Sequence, residues 1–166
     1  QRLAYQEQPL TTEFYDRNGT LLYRLYEGRN RSLIEINSLP AYLLQATIAV
    51  EDKNFYKHNG VDFSAIARAL YHNYSKETTE GASTITQQLI KNSLLSTERT
   101  YTRKIKEIIL SLWAESIYSK EQILSMYLNN APYGGTSWGV EAASQSYFGK
   151  SARKLTLGQA AYLAGL

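Results

Sequence analysis

The sequence contains no cysteine, and its only histidines are His58 and His72. It therefore has no disulfide framework and no thiolate metal site, and the two histidines lack the spacing of zinc ligands. No apolar run reaches the roughly 18 residues that span a bilayer. A Walker loop, a dinucleotide fingerprint and a G-x-S-x-G nucleophile elbow are also missing. These absences argue against nucleotide-dependent enzymes, zinc enzymes and α/β-hydrolases.

The composition is that of one globular domain with a mildly basic charge. The chain has 166 residues, of which 43% are hydrophobic, with a net charge of +3 and a pI near 9.0. A chain of this length can bury a core. The positive charge suits an anionic substrate or a lipid headgroup surface. The basic residues form no RNA-binding signature, so we expect no nucleic-acid partner.

Local patterns predict a mainly α domain with one small β element. Residues 12–26 alternate around Asp16 and Gly19, which predicts a β-hairpin. Ile34 and Ile36 indicate a short strand in the connector before Pro40. The predicted helices cover residues 40–55, 63–74, 84–95, 102–118, 120–129 and 138–148, with a last one from Thr156.

Two adjacent carboxylates, Glu51 and Asp52, follow the apolar helical run from Tyr42 to Val50. An acid placed against apolar packing holds its proton more tightly than an acid in water. That property suits a general acid or base working near neutral pH. The alternative is an ordinary helix end whose charges are solvated.

A second stretch, residues 81–92, places three polar side chains in one line along a helix. Thr84, Gln88 and Lys91 are spaced at i, i+4 and i+7, with Ile85 and Leu89 on the packing side. A hydroxyl, an amide and an ammonium in a row could hold a sugar or a phosphate. The alternative is a plain amphipathic helix with a polar outer face.

A third stretch surrounds one acid, Glu107, with cations. Glu107 points away from the apolar stripe of its helix, so one interpretation is a solvated i,i+4 pair with Arg103. The other is a second carboxylate beside a cationic patch suited to a diphosphate, because arginine offers bidentate geometry and lysine a point charge. The cations are Arg99, Arg103, Lys104 and Lys106, and the stripe predicted to pack on the core is Ile105, Ile108, Ile109, Leu112 and Trp113.

These stretches and two later ones resemble, in order, the five motifs of the peptidoglycan glycosyltransferase family. That family comprises the N-terminal domain of class A penicillin-binding proteins and the monofunctional transglycosylases. The resemblance implies a lysozyme-like, mostly helical fold with two lobes and a long cleft. The matching motifs are Glu51-Asp52-x-x-Phe55-x-x-His58-x-Gly60, Gly81-x-Ser83-Thr84-Ile85-Thr86-Gln87-Gln88-Leu89-x-Lys91-Asn92, Arg103-Lys104-x-x-Glu107, Ile123-Leu124-x-x-Tyr127-Leu128-Asn129, and Gly139-Val140-Glu141-Ala142-Ala143 with Tyr147-Phe148-Gly149-Lys150.

The resemblance also implies a reaction. The donor would be a growing glycan chain on undecaprenyl diphosphate, and the acceptor would be lipid II. Glu51 matches the general base on the acceptor 4-hydroxyl, and transfer would invert the donor to a β-1,4 link. Glu107 matches a second catalytic carboxylate near the diphosphate. The implied substrate-binding residues are Asp52, Phe55, His58, Arg68, Thr84, Gln87, Gln88, Lys91, Arg99, Arg103 and Lys104.

We further expect a membrane setting from this resemblance. Residues 1–166 are expected to form a single domain, with a hairpin and linker over about 1–39 and a helical catalytic part over 40–166. An N-terminal anchor outside this chain would hold it at the outer face of the bacterial cell membrane, and a C-terminal transpeptidase domain would follow. Moenomycin-type inhibitors would bind. No cofactor is required by the sequence, and a divalent metal (Mg²⁺ or Mn²⁺) at the diphosphate stays open.

Two other functions remain compatible with these residues. A lysozyme-like glycan hydrolase would also use two carboxylates. A non-catalytic module that binds lipid II would retain the cations without needing Glu51. The cations Arg103 and Lys104 beside a second acid favour a diphosphate leaving group over a hydrolase.

Overall fold

The computed structural model of the chain describes residues 12–19, 21–25, 30–74, 81–95 and 100–166. This part of the chain is mainly α-helical, as predicted, with two small two-stranded sheets. In the residues that the structure describes, no helix is both long and apolar enough to cross a bilayer. The polar segment of residues 75–81, for which the sequence predicts a loop, lies outside these residues except for Gly81, and so does the cation Arg99.

Polar side chains cap three of the helices close to their predicted starts. Thr84, Ser119 and Thr156 each close a reciprocal capping box with the glutamine three residues later, which satisfies two otherwise free N–H groups. Gly149 ends a helix in the left-handed conformation, with φ of +65°. The helices are α1 (Ala41–Glu51), α2 (Phe63–Tyr74), α3 (Ile85–Leu94), α4 (Tyr101–Ile117), α5 (Lys120–Asn130), α6 (Val140–Phe148) and α7 (Leu157–Ala164).

The predicted hairpin is confirmed. Strands β1 (Thr12–Tyr15) and β2 (Leu21–Leu25) pair antiparallel, and the Gly19 N–H donates to the Asp16 carbonyl oxygen at 3.1 Å. The strand predicted at Ile34 and Ile36 is wrong, because residues 32–35 have no regular secondary structure and a 3₁₀ turn covers Ile36–Ser38.

A second sheet joins distant parts of the chain. Strand β3 (Asn30–Arg31) pairs in parallel with β4 (Ser137–Trp138), so Trp138 lies in a strand where the sequence predicts the start of a helix. Each strand has two residues, which is too short for a periodic pattern in the sequence. The pairing fixes the segment before α1 against the segment before α6.

Helix α3 lies at the centre of the domain. It packs against both α4 and α5, while α1 packs against α7. Its buried side chains include polar as well as apolar residues, namely Ile85, Thr86, Gln87, Leu89 and Ile90. The polar line predicted along α3 therefore begins inside the domain rather than on an outer face.

Helix α1 ends four residues earlier than predicted. Asp52 leaves the helical conformation with φ of −161° and ψ of 74°, and a 3₁₀ turn covers Phe55–Lys57. Glu51 is therefore the last residue of α1, and the chain turns sharply away behind it.

The predicted orientation of α4 is wrong. Glu107, Ser111 and Ala114 are its buried residues, while Ile109 is 59% exposed and Trp113 is 60% exposed. Gly60 explains part of this orientation: with φ of +90°, it lies so close that an added Cβ would be 2.6 Å from the Ser111 carbonyl oxygen. The face of α4 with the small residues Ser111 and Ala114 packs against this backbone, and the face with Ile109 and Trp113 points outward.

Candidate active site

A cleft of about 570 Å³ lies between the end of α1, the start of α2 and the start of α3. Carboxylates and cations share its walls. The charged side chains that line it are Glu51, Asp52, Asp62, Lys53, Arg68 and Lys91, and Asn54, Ser83, Thr84 and Gln88 add polar groups. Such a surface suits a substrate that carries both hydroxyl groups and negative charge.

Glu51 is half-buried at the edge of this cleft and is held by α3. The Gln88 amide nitrogen donates to Glu51 Oε2 at 2.5 Å, and the Tyr127 hydroxyl donates to Gln88 Oε1 at 3.4 Å. Burial, and then the charge of Glu51, raise the pKa of Tyr127, so its phenol stays a protonated donor. Because the Tyr127 hydroxyl donates to the amide oxygen of Gln88, the amide nitrogen of Gln88 faces Glu51.

Asp52 links the turn after α1 to the start of α3. Its carboxylate accepts from His58 Nε2 at 3.0 Å and from the Ile85 N–H at 3.0 Å. The Gly60 N–H donates to His58 Nδ1 at 3.1 Å, so Nδ1 is an acceptor and the ring proton lies on Nε2. His58 is therefore a neutral donor that holds Asp52 in place.

Asp62 is a cleft carboxylate that the sequence analysis missed. It accepts from Ser64 Oγ at 2.6 Å, Asn54 Nδ2 at 2.9 Å and the Ala65 N–H at 2.9 Å. The hydrogen bond from Ser64, followed by that from Asn54, holds the pKa of Asp62 well below its usual range. An aspartate just before a predicted helix is a capping signal, and that signal could have identified it.

Thr84 and Gln87 are hydrogen-bonded to each other, and Thr84 is also hydrogen-bonded to the loop before α2. Thr84 Oγ1 donates to the Gly60 carbonyl oxygen at 2.6 Å and accepts from the Gln87 N–H at 3.1 Å. Gln87 Oε1 accepts from the Thr84 N–H at 3.0 Å, and the Gln87 side chain is fully buried. These two residues shape the wall of the cleft rather than projecting into it.

The cationic cluster on α4 encloses a buried carboxylate. Glu107 is only 2% exposed, accepts from Lys104 Nζ, and pairs with Arg103 Nη1 at 3.4 Å. The interpretation of a solvated pair is therefore wrong, since the helix turns this face inward. Lys104 Nζ also donates to Ser83 Oγ at 3.1 Å, and Ser83 lines the cleft. The cluster thus reaches the cleft through Ser83.

The predicted site residues divide into three groups. Phe55 and Gln87 are fully buried and the imidazole of His58 is nearly so, and none of the three lines the cleft. Arg103, Lys104 and Glu107 lie next to the cleft beyond Ser83. The residues that line the cleft itself are Glu51, Asp52, Arg68, Thr84, Gln88 and Lys91.

The described residues contain no cluster of three or more His, Cys, Asp or Glu side chains that could hold a metal ion. Asp52 and Asp62 are each engaged by protein donors, and Glu107 is engaged by two cations. A divalent metal at the diphosphate stays a prediction, since Mg²⁺ there would need only one or two carboxylates besides the substrate phosphates.

The family model of transglycosylases matches residues 18–166. The chain belongs to the transglycosylase family. This membership confirms the resemblance read from the five motifs, and it supports a peptidoglycan glycosyltransferase enzyme of the kind found in class A penicillin-binding proteins.

Two relatives of this transglycosylase domain illustrate the similarity. Penicillin-binding protein 1A of Rickettsia felis is 45% identical over 99% of this chain and 21% of its own length. Penicillin-binding protein 1F of Bacillus subtilis is 41% identical over 94% of this chain and 22% of its own length. The crystal structure of penicillin-binding protein 1A from Haemophilus influenzae aligns with a TM-score of 0.44 at 24% identity, covering 96% of this chain and 14% of that one. The transglycosylase domain thus spans about a fifth of the length of the curated relatives it matches.

Proposed function

We propose that this domain polymerises lipid II into β-1,4-linked glycan strands by inverting transfer from an undecaprenyl-diphosphate donor. The observation that supports this most directly is the shared cleft of Glu51, Arg68 and Lys91. One wall offers a proton acceptor, and another offers positive charge for a departing diphosphate.

Glu51 is the general base in this reaction. Its carboxylate takes the proton of the acceptor 4-hydroxyl while that oxygen bonds to the donor anomeric carbon. The bond from that carbon to the diphosphate breaks, and the electron pair leaves with the lipid diphosphate, so the configuration inverts. A positioned base contributes about 10²- to 10⁴-fold to a rate. The hydrogen bond from Gln88 fixes the direction of the Glu51 carboxylate.

The cations stabilise the leaving group. Arg68 and Lys91 line the cleft, and Lys104 reaches it beside Ser83. Fixed cations that face developing negative charge lower a barrier because they need no reorganisation during the reaction. Glu107 holds Lys104 and Arg103 in place and partly balances their charge.

The cations in and beside the cleft argue against a glycan hydrolase. Such an enzyme needs an acid and a second carboxylate, which Glu51 and an ionised Asp62 could supply. It has no need of positive charge at the site. Arg68 and Lys91 in the cleft, and Lys104 beside Ser83, suit instead a diphosphate that leaves without protonation.

Product analysis with labelled lipid II tests this function against its alternatives. A glycosyltransferase converts lipid II into polymer that resolves as a ladder on a gel. A hydrolase yields fragments from finished glycan, and a binding module retains lipid II unchanged. Failure of the purified protein to make polymer would overturn the proposal.

We also propose that the outward face of α4 meets the membrane that carries these lipid substrates. Its exposed apolar side chains lie opposite the buried face that holds Glu107. An apolar strip of this kind suits the boundary of a bilayer. The strip consists of Ile105, Ile109, Leu112 and Trp113. In this setting the parent chain would supply the anchor and a transpeptidase domain.

Vesicle co-sedimentation tests the membrane contact. The double variant Ile109→Ser/Trp113→Ser should bind phospholipid vesicles several-fold more weakly than the wild type, because two large apolar side chains are removed. Leu157→Ser is the matched control, since Leu157 is an exposed apolar residue on α7. Equal loss in both variants, or no loss in the double variant, would contradict the assignment.

A further inference from the structure

A buried polar triad outside the cleft joins three helices. Glu115, near the end of α4, accepts from Thr86 Oγ1 on α3 at 2.6 Å and from Lys120 Nζ on α5 at 2.7 Å. The side chains of Glu115 and Lys120 are only 5% and 17% exposed. Neither Glu115 nor Lys120 belongs to the five motifs that carry the family resemblance.

Lys120 also supports the loop that follows Glu51. Its ammonium donates to the His58 carbonyl oxygen at 2.7 Å and lies 4.5 Å from the centre of the Phe55 ring. Phe55 is fully buried, so this cation–π contact is shielded from water. The Lys120 ammonium therefore contacts the loop at two points, His58 and Phe55, while its hydrogen bond to Glu115 holds the ammonium in place.

The supported loop leads directly to the proposed base. His58 donates to Asp52, which follows Glu51 in the chain and accepts from the Ile85 N–H. On the other side, Thr86 is anchored two residues before Gln88, the donor to Glu51. Asp52, which follows Glu51, is thus linked to the triad through His58. Gln88, which orients Glu51, is linked to the triad through Thr86.

We infer that Lys120, held by Glu115, is a positioning residue for the transfer reaction and sets the geometry of Glu51 through the loop of Phe55 and His58. This inference rests on the proposed function. A buried ion pair adds little net stability, because desolvation offsets its attraction. It does fix geometry, and catalysis is sensitive to misplacement of about 1 Å. Positioning therefore accounts for a buried lysine that stability alone does not require.

The test needs a variant that removes the support without leaving a buried charge. Lys120→Met alone would strand the Glu115 carboxylate and could prevent folding. The double variant Lys120→Met/Glu115→Gln removes both charges and keeps an oxygen for Thr86. Glu141→Gln is the matched control, because Glu141 is a carboxylate that anchors another loop through Ser151 Oγ at 3.0 Å and the Ala152 N–H at 2.8 Å.

Two readouts are measured on the purified protein. Hydrogen exchange reports the Gly60 and Ile85 amides, whose acceptors are the His58 ring and the Asp52 carboxylate. In the double variant we expect both amides to exchange roughly tenfold faster or more. With lipid II, kcat should fall about tenfold with KM within about twofold. The Glu141→Gln control should leave both readouts unchanged.

Unchanged exchange in the double variant would overturn the inference, because the loop would then be held without Lys120. Faster exchange with unchanged kcat would overturn it too, since the loop geometry would not matter for transfer. If the wild-type protein makes no polymer, the proposed function itself fails. The exchange measurement then decides alone whether Lys120 holds the loop.

Discussion

Tyr127 is linked to Glu51 through the side-chain amide of Gln88, which accepts from the Tyr127 hydroxyl and donates to the Glu51 carboxylate. The three residues come from α5, α3 and α1. The proposed base is therefore oriented by the packing of three helices rather than by its own helix alone. Because the Gln88 amide is hydrogen-bonded through both its oxygen and its nitrogen, its orientation is fixed, and this also fixes the orientation of the Glu51 carboxylate.

Replacing Gln88 should slow the reaction. Gln88→Ala removes a hydrogen bond to a carboxylate, and such bonds contribute about 1.5–3 kcal/mol. We expect kcat to fall about tenfold or more in a lipid II polymerisation assay. Tyr127→Phe keeps the amide donor and removes only the long 3.4 Å bond, so its kcat should fall less. A larger loss in Tyr127→Phe than in Gln88→Ala would contradict this arrangement.

Removing the Lys91 charge should weaken the use of the donor more than the use of the acceptor. Lys91 lines the cleft, and its ammonium would stabilise a diphosphate there through charge-assisted bonds. With separate donor and acceptor analogues, Lys91→Ala should reduce donor use by about tenfold. Lys154→Ala, at an exposed lysine away from the cleft, is the control. Equal loss with both analogues would count against the diphosphate assignment.

Asp62 should make stability depend on pH in the acid range. Its pKa is depressed in the folded protein, so its contribution is complete above the unfolded value near 4 and is lost as the pH falls. Denaturant unfolding should show Asp62→Ala less stable than the wild type at pH 7, with the gap narrowing toward pH 3. Ser64→Ala removes the largest cause of the shift and should show a smaller effect of the same sign. A difference in the free energy of unfolding between wild type and Asp62→Ala that grows as the pH falls would contradict this prediction.

A methyl group at Gly60 should disrupt the contact between the loop and α4. With φ of +90° and the Ser111 carbonyl oxygen 2.6 Å from an added Cβ, Gly60→Ala should cost about 3 kcal/mol or more. Gly158→Ala is the control, because nothing lies within 4 Å of its added Cβ in α7. The control should change the free energy of unfolding by less than about 1 kcal/mol. Similar effects at the two glycines would contradict the close approach.

The helices and their caps were predictable because their signals are local. Thr84 and Ser119 lie three residues before a glutamine, and a short polar side chain followed by that spacing predicts a capping box without any tertiary information. Glu51 could likewise be selected from its place at the end of an apolar run. The local pattern thus predicted several helix starts and selected Glu51, although it placed the end of α1 four residues too late.

The orientation of α4 could not be predicted from its own pattern. The usual rule turns an apolar stripe toward the core, but here the core side accepts the backbone at Gly60 and the cations that enclose Glu107. The parallel pairing of Asn30–Arg31 with Ser137–Trp138 was equally inaccessible, since partners so far apart leave no local signal. The Glu115–Lys120 pair was missed for a related reason, because an acid and a lysine near helix ends usually indicate a solvated surface.

The most direct measurement for the whole account compares Glu51→Gln with the wild-type protein, using labelled lipid II for both polymerisation and binding. Glutamine keeps the shape of the side chain and cannot accept the proton. We expect polymerisation to fall by about 10²-fold or more while lipid II binding stays within a few-fold. Polymerisation by Glu51→Gln at the wild-type rate would contradict the role of Glu51 as the base.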